Sequence, residues 1–171
     1  KVPRSARARY NAAWLAWGRK ETAVARENVE KAVALFPRYY DAWSLLGLVR
    51  AKEGRVEEAR AACREALRLR PDYEIGFLAL ARIEAESGRY AEAEEVLREG
   101  LRHHPRSRPL LARRAALLES RGRFAEALAA WSAALEAPGG SVAERLGLAR
   151  SLSSLGREAE AVDEARRALA L

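Results

Sequence analysis

Apolar residues along this chain fall at the three- and four-residue spacing of helix faces, and the pattern breaks repeatedly at Gly-Arg or at proline. Residues 41–73, DAWSLLGLVRAKEGRVEEARAACREALRLRPDY, show the unit: a helix, a turn at Gly54, a second helix and a stop at Pro71. The turn recurs every 34 residues, at Gly54-Arg55, Gly88-Arg89, Gly122-Arg123 and Gly156-Arg157. At fixed offsets before these glycines stand Trp43, Leu46 and Gly47, then Phe77, Leu80 and Ala81, then Leu111 and Ala115, then Leu148 and Ala149. After them come Ala59 and Ala66, Ala93 and Gly100, Ala127 and Ala134, and Ala161 and Ala168.

Each recurrence has a physical reason. Gly47, Ala81, Ala115 and Ala149 let a second helix approach closely, as do Ala59, Ala66 and their copies, where larger side chains would overpack. Trp43, Leu46, Phe77 and Leu80 fill the seam between. Gly54 and its copies end a helix in the left-handed conformation, and Pro71 and Pro105 separate one unit from the next. The pattern predicts helices near 5–18, 21–35, 41–52, 56–69, 74–87, 90–103, 124–136, 142–155 and 158–170, with another in the first half of the fourth unit. Ser5, Asp41 and Ser141 are the expected N-caps, and Pro138-Gly139-Gly140 is expected to end the helix before Ser141.

These residues and their period resemble the tetratricopeptide repeat (TPR) family over nearly the whole chain. The resemblance implies an all-α, right-handed superhelical solenoid of antiparallel helix pairs, one domain over 1–171 with repeats near 6–39, 40–73, 74–107, 108–141 and 142–171. It also implies a concave groove lined by the first helix of each pair. In that register Trp14, Ser44, Leu48, Lys52, Leu78, Arg82, Glu86, Ala112, Arg113, Ala116, Leu146 and Arg150 face the groove. Arg82, Arg113 and Arg150 would then form a basic strip flanked by Leu48, Leu78 and Leu146. Two specialisations of the family do not match. The Lys and Asn clamp that holds a chaperone's C-terminal carboxylate meets Ser44, Leu48, Ala79, Pro109 and Ala143 here. The asparagine ladder of sugar-transferring members is met by Asn11 but not by Leu45, Ala79, Arg113 or Gly147.

Composition adjusts this picture in a few places. Apolar residues make up 49% of the chain, much of it Ala, which suits thin layers between helices. No run of about 18 apolar residues exists to span a membrane, and there is no secretory signal pattern. The absence of Met, at position 1 as elsewhere, predicts a piece cut from a larger protein. Cys63 is the single cysteine, so no internal disulfide forms; it is expected as a small buried residue of the seam. The compartment stays open between cytoplasm and periplasm, the cytoplasm slightly favoured. The net charge of +7 comes from 27 Arg and 4 Lys against 24 acids. It is suited to acidic partners.

Three stretches depart from the repeat. In the first unit Gly18-Arg19 arrives two residues early and Lys20 stands where the turn glycine belongs, so an adjusted turn is expected. Tyr10, Asn11, Trp14 and Trp17 share that unit's first helix, as packing or as an exposed aromatic patch. Residues 102–123 set seven arginines and His103-His104 against the lone acid Glu119, and Arg114 takes the place of Leu46 and Leu80. The adjacent histidines lack the spacing of a helical metal pair. In the last unit Val162, Ala165 and Leu169 are expected to face water, which offers an edge for self-association.

No phosphate-binding glycine loop, metal-ligand cluster, nucleophile–base pair or cofactor motif is present, so the chain reads as non-catalytic. The function that follows is a protein–protein interaction scaffold holding a partner peptide or protein segment, acidic and apolar in character, in its groove. One alternative is the soluble tail of a larger bacterial membrane-anchored or multidomain enzyme. Another is weak nucleic-acid binding through the Arg-rich surface, disfavoured because acids are interleaved and aromatics do not alternate with the arginines.

Overall fold

A computed structural model describes residues 2–137 and 141–170; the Pro138-Gly139-Gly140 turn expected from the sequence lies outside the described residues. Within them the chain forms ten α-helices: α1 (Arg4–Gly18), α2 (Thr22–Leu35), α3 (Tyr40–Lys52), α4 (Val56–Leu69), α5 (Glu74–Glu86), α6 (Tyr90–His103), α7 (Arg108–Ser120), α8 (Phe124–Glu136), α9 (Val142–Ser154) and α10 (Glu158–Leu169). Two compact units divide the chain, 1–93 and 94–171, with the boundary inside α6.

The turns explain why the period is so strict. After α3, the Gly54 N–H donates to the Ala51 carbonyl at 3.0 Å and the Arg55 N–H to the Arg50 carbonyl at 2.9 Å. This pair of bonds satisfies the last carbonyls of the helix and requires a left-handed residue between them. Gly54, Gly88, Gly122 and Gly156 all take it, with φ of 79°, 78°, 70° and 73°. The following arginine then starts the next helix: its carbonyl accepts the first helical bond, as from Ala59 to Arg55 at 2.9 Å. Its guanidinium grips a carboxylate three residues on, Arg55 to Glu58, Arg123 to Glu126 and Arg157 to Glu160. These bonds hold the carboxyls of Glu58, Glu126 and Glu160 below their ordinary range.

The first repeat does not adjust its turn, contrary to the sequence expectation. Lys20 itself adopts the left-handed conformation at φ 64°, and its N–H and that of Glu21 make the same two bonds, to Trp17 at 3.0 Å and Ala16 at 2.9 Å. The turn geometry is kept at the cost of a strained β-carbon. Lys20→Gly is therefore expected to stabilise the chain by about 0.5–1 kcal/mol, relief of strain outweighing the added freedom of the unfolded state. A higher urea midpoint at unchanged slope checks this; a lower midpoint would show that the Lys20 stem packs usefully.

Two of the three N-cap expectations are corrected. α1 starts at Arg4, behind Pro3, whose φ of −58° suits a helix entrance and whose carbonyl accepts from the Arg7 N–H. Ser5 is thus inside the helix. α3 starts at Tyr40, one residue before Asp41, whose carboxylate instead accepts a 2.6 Å bond from the Tyr73 hydroxyl. Ser141 does cap α9: its hydroxyl accepts from the Ala143 N–H at 3.3 Å and its own N–H donates to Glu144 at 2.9 Å. Burial alone would raise the Glu144 carboxyl, but these bonds hold it below the usual range.

Within residues 1–93 the core is the Ala-rich layer anticipated above: Ala6, Ala13, Ala16, Ala25, Val29, Ala32, Leu45, Leu46 and Val49 are all buried. Tyr10 and Trp17 pack against it, while Trp14 stays outside, so the aromatic cluster of α1 divides between the two expectations. Burial, and then the Asp41 charge, push the Tyr10 hydroxyl up to about 12. A β-carbon on Gly47 would sit 2.3 Å from Cys63 Sγ and 2.9 Å from the Ala59 carbonyl, so only glycine fits this crossing. Cys63 is fully buried, and burial followed by the Glu84 charge pushes its thiol up to about 12. It is a packing residue.

Within residues 94–171, Ala115, Leu118, Ala127, Ala130, Trp131, Leu148, Leu152 and Ala161 form the core. Arg114, in the place of a buried leucine, is half-buried with its Nε in no hydrogen bond. On α10, Val162 and Leu169 are exposed as expected, but Ala165 is half-buried.

One register position of the second helices carries a charge that meets the following repeat. Arg26 on α2 pairs with Glu53 at 3.2 Å, and Arg60 on α4 with Glu84 at 2.8 Å. Glu94 on α6, of opposite sign, pairs with Arg123 at 2.5 Å. The Arg60–Glu84 pair is the buried one, at 9% and 1% side-chain exposure, and Glu57 and Arg89 extend it to the surface.

Candidate protein-interaction surface

Side chains at i, i+4 and i+8 of a helix share one face. In residues 1–93 this places Ser44, Leu48 and Lys52 along α3 and Leu78, Arg82 and Glu86 along α5. The structure brings four of the six together: Leu48, Lys52, Arg82 and Glu86 line a cavity of about 390 Å³, with Ala51 and Ile83 completing it. Leu78 is half-buried, and Trp14, at the register position of Leu48 and Arg82, is 53% exposed on α1. Ser44 differs from the expectation: its side chain is buried and its Oγ has no hydrogen-bond partner, so it lies beneath the surface rather than on it.

The charges on this surface are not equivalent. Arg82 Nε donates to Glu86 Oε1 at 2.8 Å on its own helix, so its charge is already answered. Lys52 is exposed and has no acid partner among the described residues. The free cation here is therefore Lys52, with the Arg82–Glu86 pair presenting both signs beside it.

In residues 94–171 the expected positions lie on α7 and α9. Arg113 is exposed without an acid partner among the described residues, Ala112 and Ala116 are half-buried, and Leu146 is 41% exposed. Arg150 donates to Glu119 at 3.2 Å, and Ser151 Oγ donates to the other oxygen of the same carboxylate at 2.8 Å. The Arg-rich stretch is also partly neutralised, since Arg102 pairs with Glu99, Arg108 with Glu144, and Arg123 with Glu94 and Glu126. Sequence reasoning missed Ala51 and Ile83 because each lies one position off the face counted in steps of four. Among the described residues no three His, Cys, Asp or Glu side chains converge as metal ligands, and no helix is long and apolar enough to cross a membrane.

Tetratricopeptide repeat sequence models match residues 10–74 and 50–119. The chain belongs to the tetratricopeptide repeat family. Solved structures of TPR proteins share its fold. TTC0263, a thermophilic TPR protein of Thermus thermophilus, is 23% identical with a TM-score of 0.77, over 96% of this chain and 90% of that one. MamA of Desulfovibrio magneticus RS-1, from residue 41 to its end, reaches 0.78 at 13% identity, over 100% of this chain and 97% of that one. YrrB, a TPR protein with an unusual peptide-binding site, reaches 0.65 at 19% identity, over 92% and 82%. No curated protein matches the chain. TPR proteins are in general non-catalytic scaffolds that bind protein or peptide partners.

Proposed function

We propose that this TPR chain is a non-catalytic scaffold that holds a segment of a partner polypeptide against its first helices. The observation that carries the reading is the cavity between α3 and α5, with Leu48, Ala51 and Ile83 as apolar lining and Lys52 as an unanswered cation. Such a surface takes an apolar side chain with a carboxylate close by, since concave sites bind through apolar area and are oriented by a few polar groups. Trp14 and Leu78 add apolar area on the same side of their helices. The peptide-binding site of YrrB shows that the fold accommodates a peptide in that protein.

The test is site-specific photocrosslinking in cells of the source organism, with a benzophenone amino acid at Leu48, at Leu78, or at Ala61, which is exposed on α4. Leu48 and Leu78 are expected to yield the same polypeptide adduct, and Ala61 none. Lys52→Glu in the Leu48 background should weaken that adduct several-fold. Adducts from Ala61 alone, or a Leu48 adduct indifferent to Lys52→Glu, would remove the reading.

A further inference from the structure

The positive charge of the chain is concentrated in its first repeat. Residues 1–38 hold nine cations and three acids, so they carry +6 of the net +7. From Lys1 to Lys20 there is no acid at all, whereas α3, α5, α7 and α9 each contain at least one. Steps of three and four along α1 run through Arg4, Arg7, Asn11, Trp14 and Leu15 to Arg19, its C-cap, and so trace one helix face. All six are exposed, Trp14 at 53% and Leu15 at 62%. The opposite face, Ala6, Ala13 and Ala16, is buried in the core.

The cations of this face are not answered within the chain. The printed ion pairs of the repeat lie on α2, where Arg26 meets Glu53 at 3.2 Å and Lys31 meets Glu27 at 2.5 Å. Arg4, Arg7, Arg19 and Lys20 pair with no acid among the described residues, and Glu21, next in the chain, pairs with none of them. The side chains also project rather than enclose. Cavities within residues 1–93 are lined by α3 and α5 or by Arg9, Lys31, Ala34 and Leu35, none of them on this face.

We propose that the exposed face of α1 docks on an anionic lipid bilayer surface. Arg4 and Arg7 at one end, and Arg19 and Lys20 about 22 Å away at the other, lie against lipid phosphates. Trp14 and Leu15 between them enter the headgroup layer, where an amphipathic indole is well placed. A projecting face with apolar residues flanked by cations suits a plane that is charged outside and apolar beneath. An acidic peptide is better held by a concave site, and a nucleic-acid strand offers phosphates but no apolar layer for Leu15. Trp14 borders the first-helix surface proposed above, but this inference stands without that reading.

Flotation of the full chain with lipid vesicles tests the proposal. Binding is expected with phosphatidylglycerol mixed into phosphatidylcholine, not with phosphatidylcholine alone, and should fall steeply as salt is raised. Each basic residue near an anionic surface contributes about fivefold, so Arg4→Glu/Arg7→Glu should weaken binding by about 25-fold or more. Arg106→Glu/Arg166→Glu makes the same change of net charge in residues 94–171 and should alter binding by less than about threefold. Leu15→Ser should weaken it several-fold through lost apolar contact. All five positions are exposed, so the variants are expected to keep the wild-type helix signal in circular dichroism. Equal losses from the two double variants would reduce the effect to net charge and overturn the proposal, as would a Leu15→Ser variant that floats like the wild type. Poly-glutamate or single-stranded RNA that binds through Arg4 and Arg7 more tightly than the vesicles would assign the face to a polyanion and overturn it as a membrane surface. No flotation with the anionic vesicles overturns it outright.

Discussion

Arg60→Ala is expected to lower stability by about 3 kcal/mol, the lower end of the cost of removing one partner from a buried pair. The loss has two parts. Glu84, at 1% side-chain exposure, would keep only Arg64 at 3.7 Å as a nearby cation. Its second oxygen already lacks a hydrogen bond, so no reserve partner exists for it. The Arg60 stem also covers the seam between α4 and α5, and alanine would uncover it. The double variant Arg60→Leu/Glu84→Leu is expected to recover most of that loss, because well-packed apolar residues replace buried ion pairs at little or no cost. Urea unfolding of the wild type and both variants decides it. A double variant less stable than Arg60→Ala would mean the pair contributes more than its own desolvation penalty.

Gly147→Ala is the second large effect, expected to destabilise by about 1–3 kcal/mol through overpacking. Helix propensity argues the other way, since alanine is favoured over glycine by about 1 kcal/mol inside a helix. Geometry decides between them: a β-carbon on Gly147 would lie 2.4, 2.6 and 2.7 Å from three atoms of the Trp131 indole, which is itself buried. A ring so deeply buried cannot give by that much. In a double-mutant cycle with Trp131→Leu, the double variant should lose less than the sum of the two single losses. Full additivity would show that the clash is relieved elsewhere.

How legible all this was depends on range. The turn glycines, the small residues at helix crossings and the proline stops act within a few residues of themselves, so the helix boundaries could be read directly. Gly47 shows the principle, for its fit against Cys63 follows from the repeat pattern. Gly147 shows its limit. Its counterparts are Asn11, Leu45, Ala79 and Arg113, so the repeat gives no warning that this position must be empty. The reason is Trp131, which no other second helix carries at that place. Lys20 failed in the opposite way, because local propensity argued for a changed turn while packing on both sides fixed it. The free charge expected of Arg82 and Arg150 was overestimated for a similar reason. Arg82 and Arg150 are neutralised by Glu86 and Glu119, and only the folded chain shows which of several reachable acids a guanidinium chooses.

The junction charges also bear on how such a gene can change its repeat number. Arg26 and Arg60 reach forward to glutamates, while Glu94 reaches forward to an arginine. Unequal crossing-over that removed residues 74–107 would keep the 34-residue phase and, in each remaining repeat, the turn glycine or its substitute and the small crossing residues. It would nevertheless bring Arg60 to the neighbourhood of Arg123, with Leu118 in place of Glu84, and leave a nearly buried cation facing another. Duplicating the same segment would be tolerated better, because a second copy of Arg89 would stand opposite Glu94 where Arg123 stands now. Repeats that look interchangeable by their spacing are thus ordered by sign, and losing one costs more than gaining one.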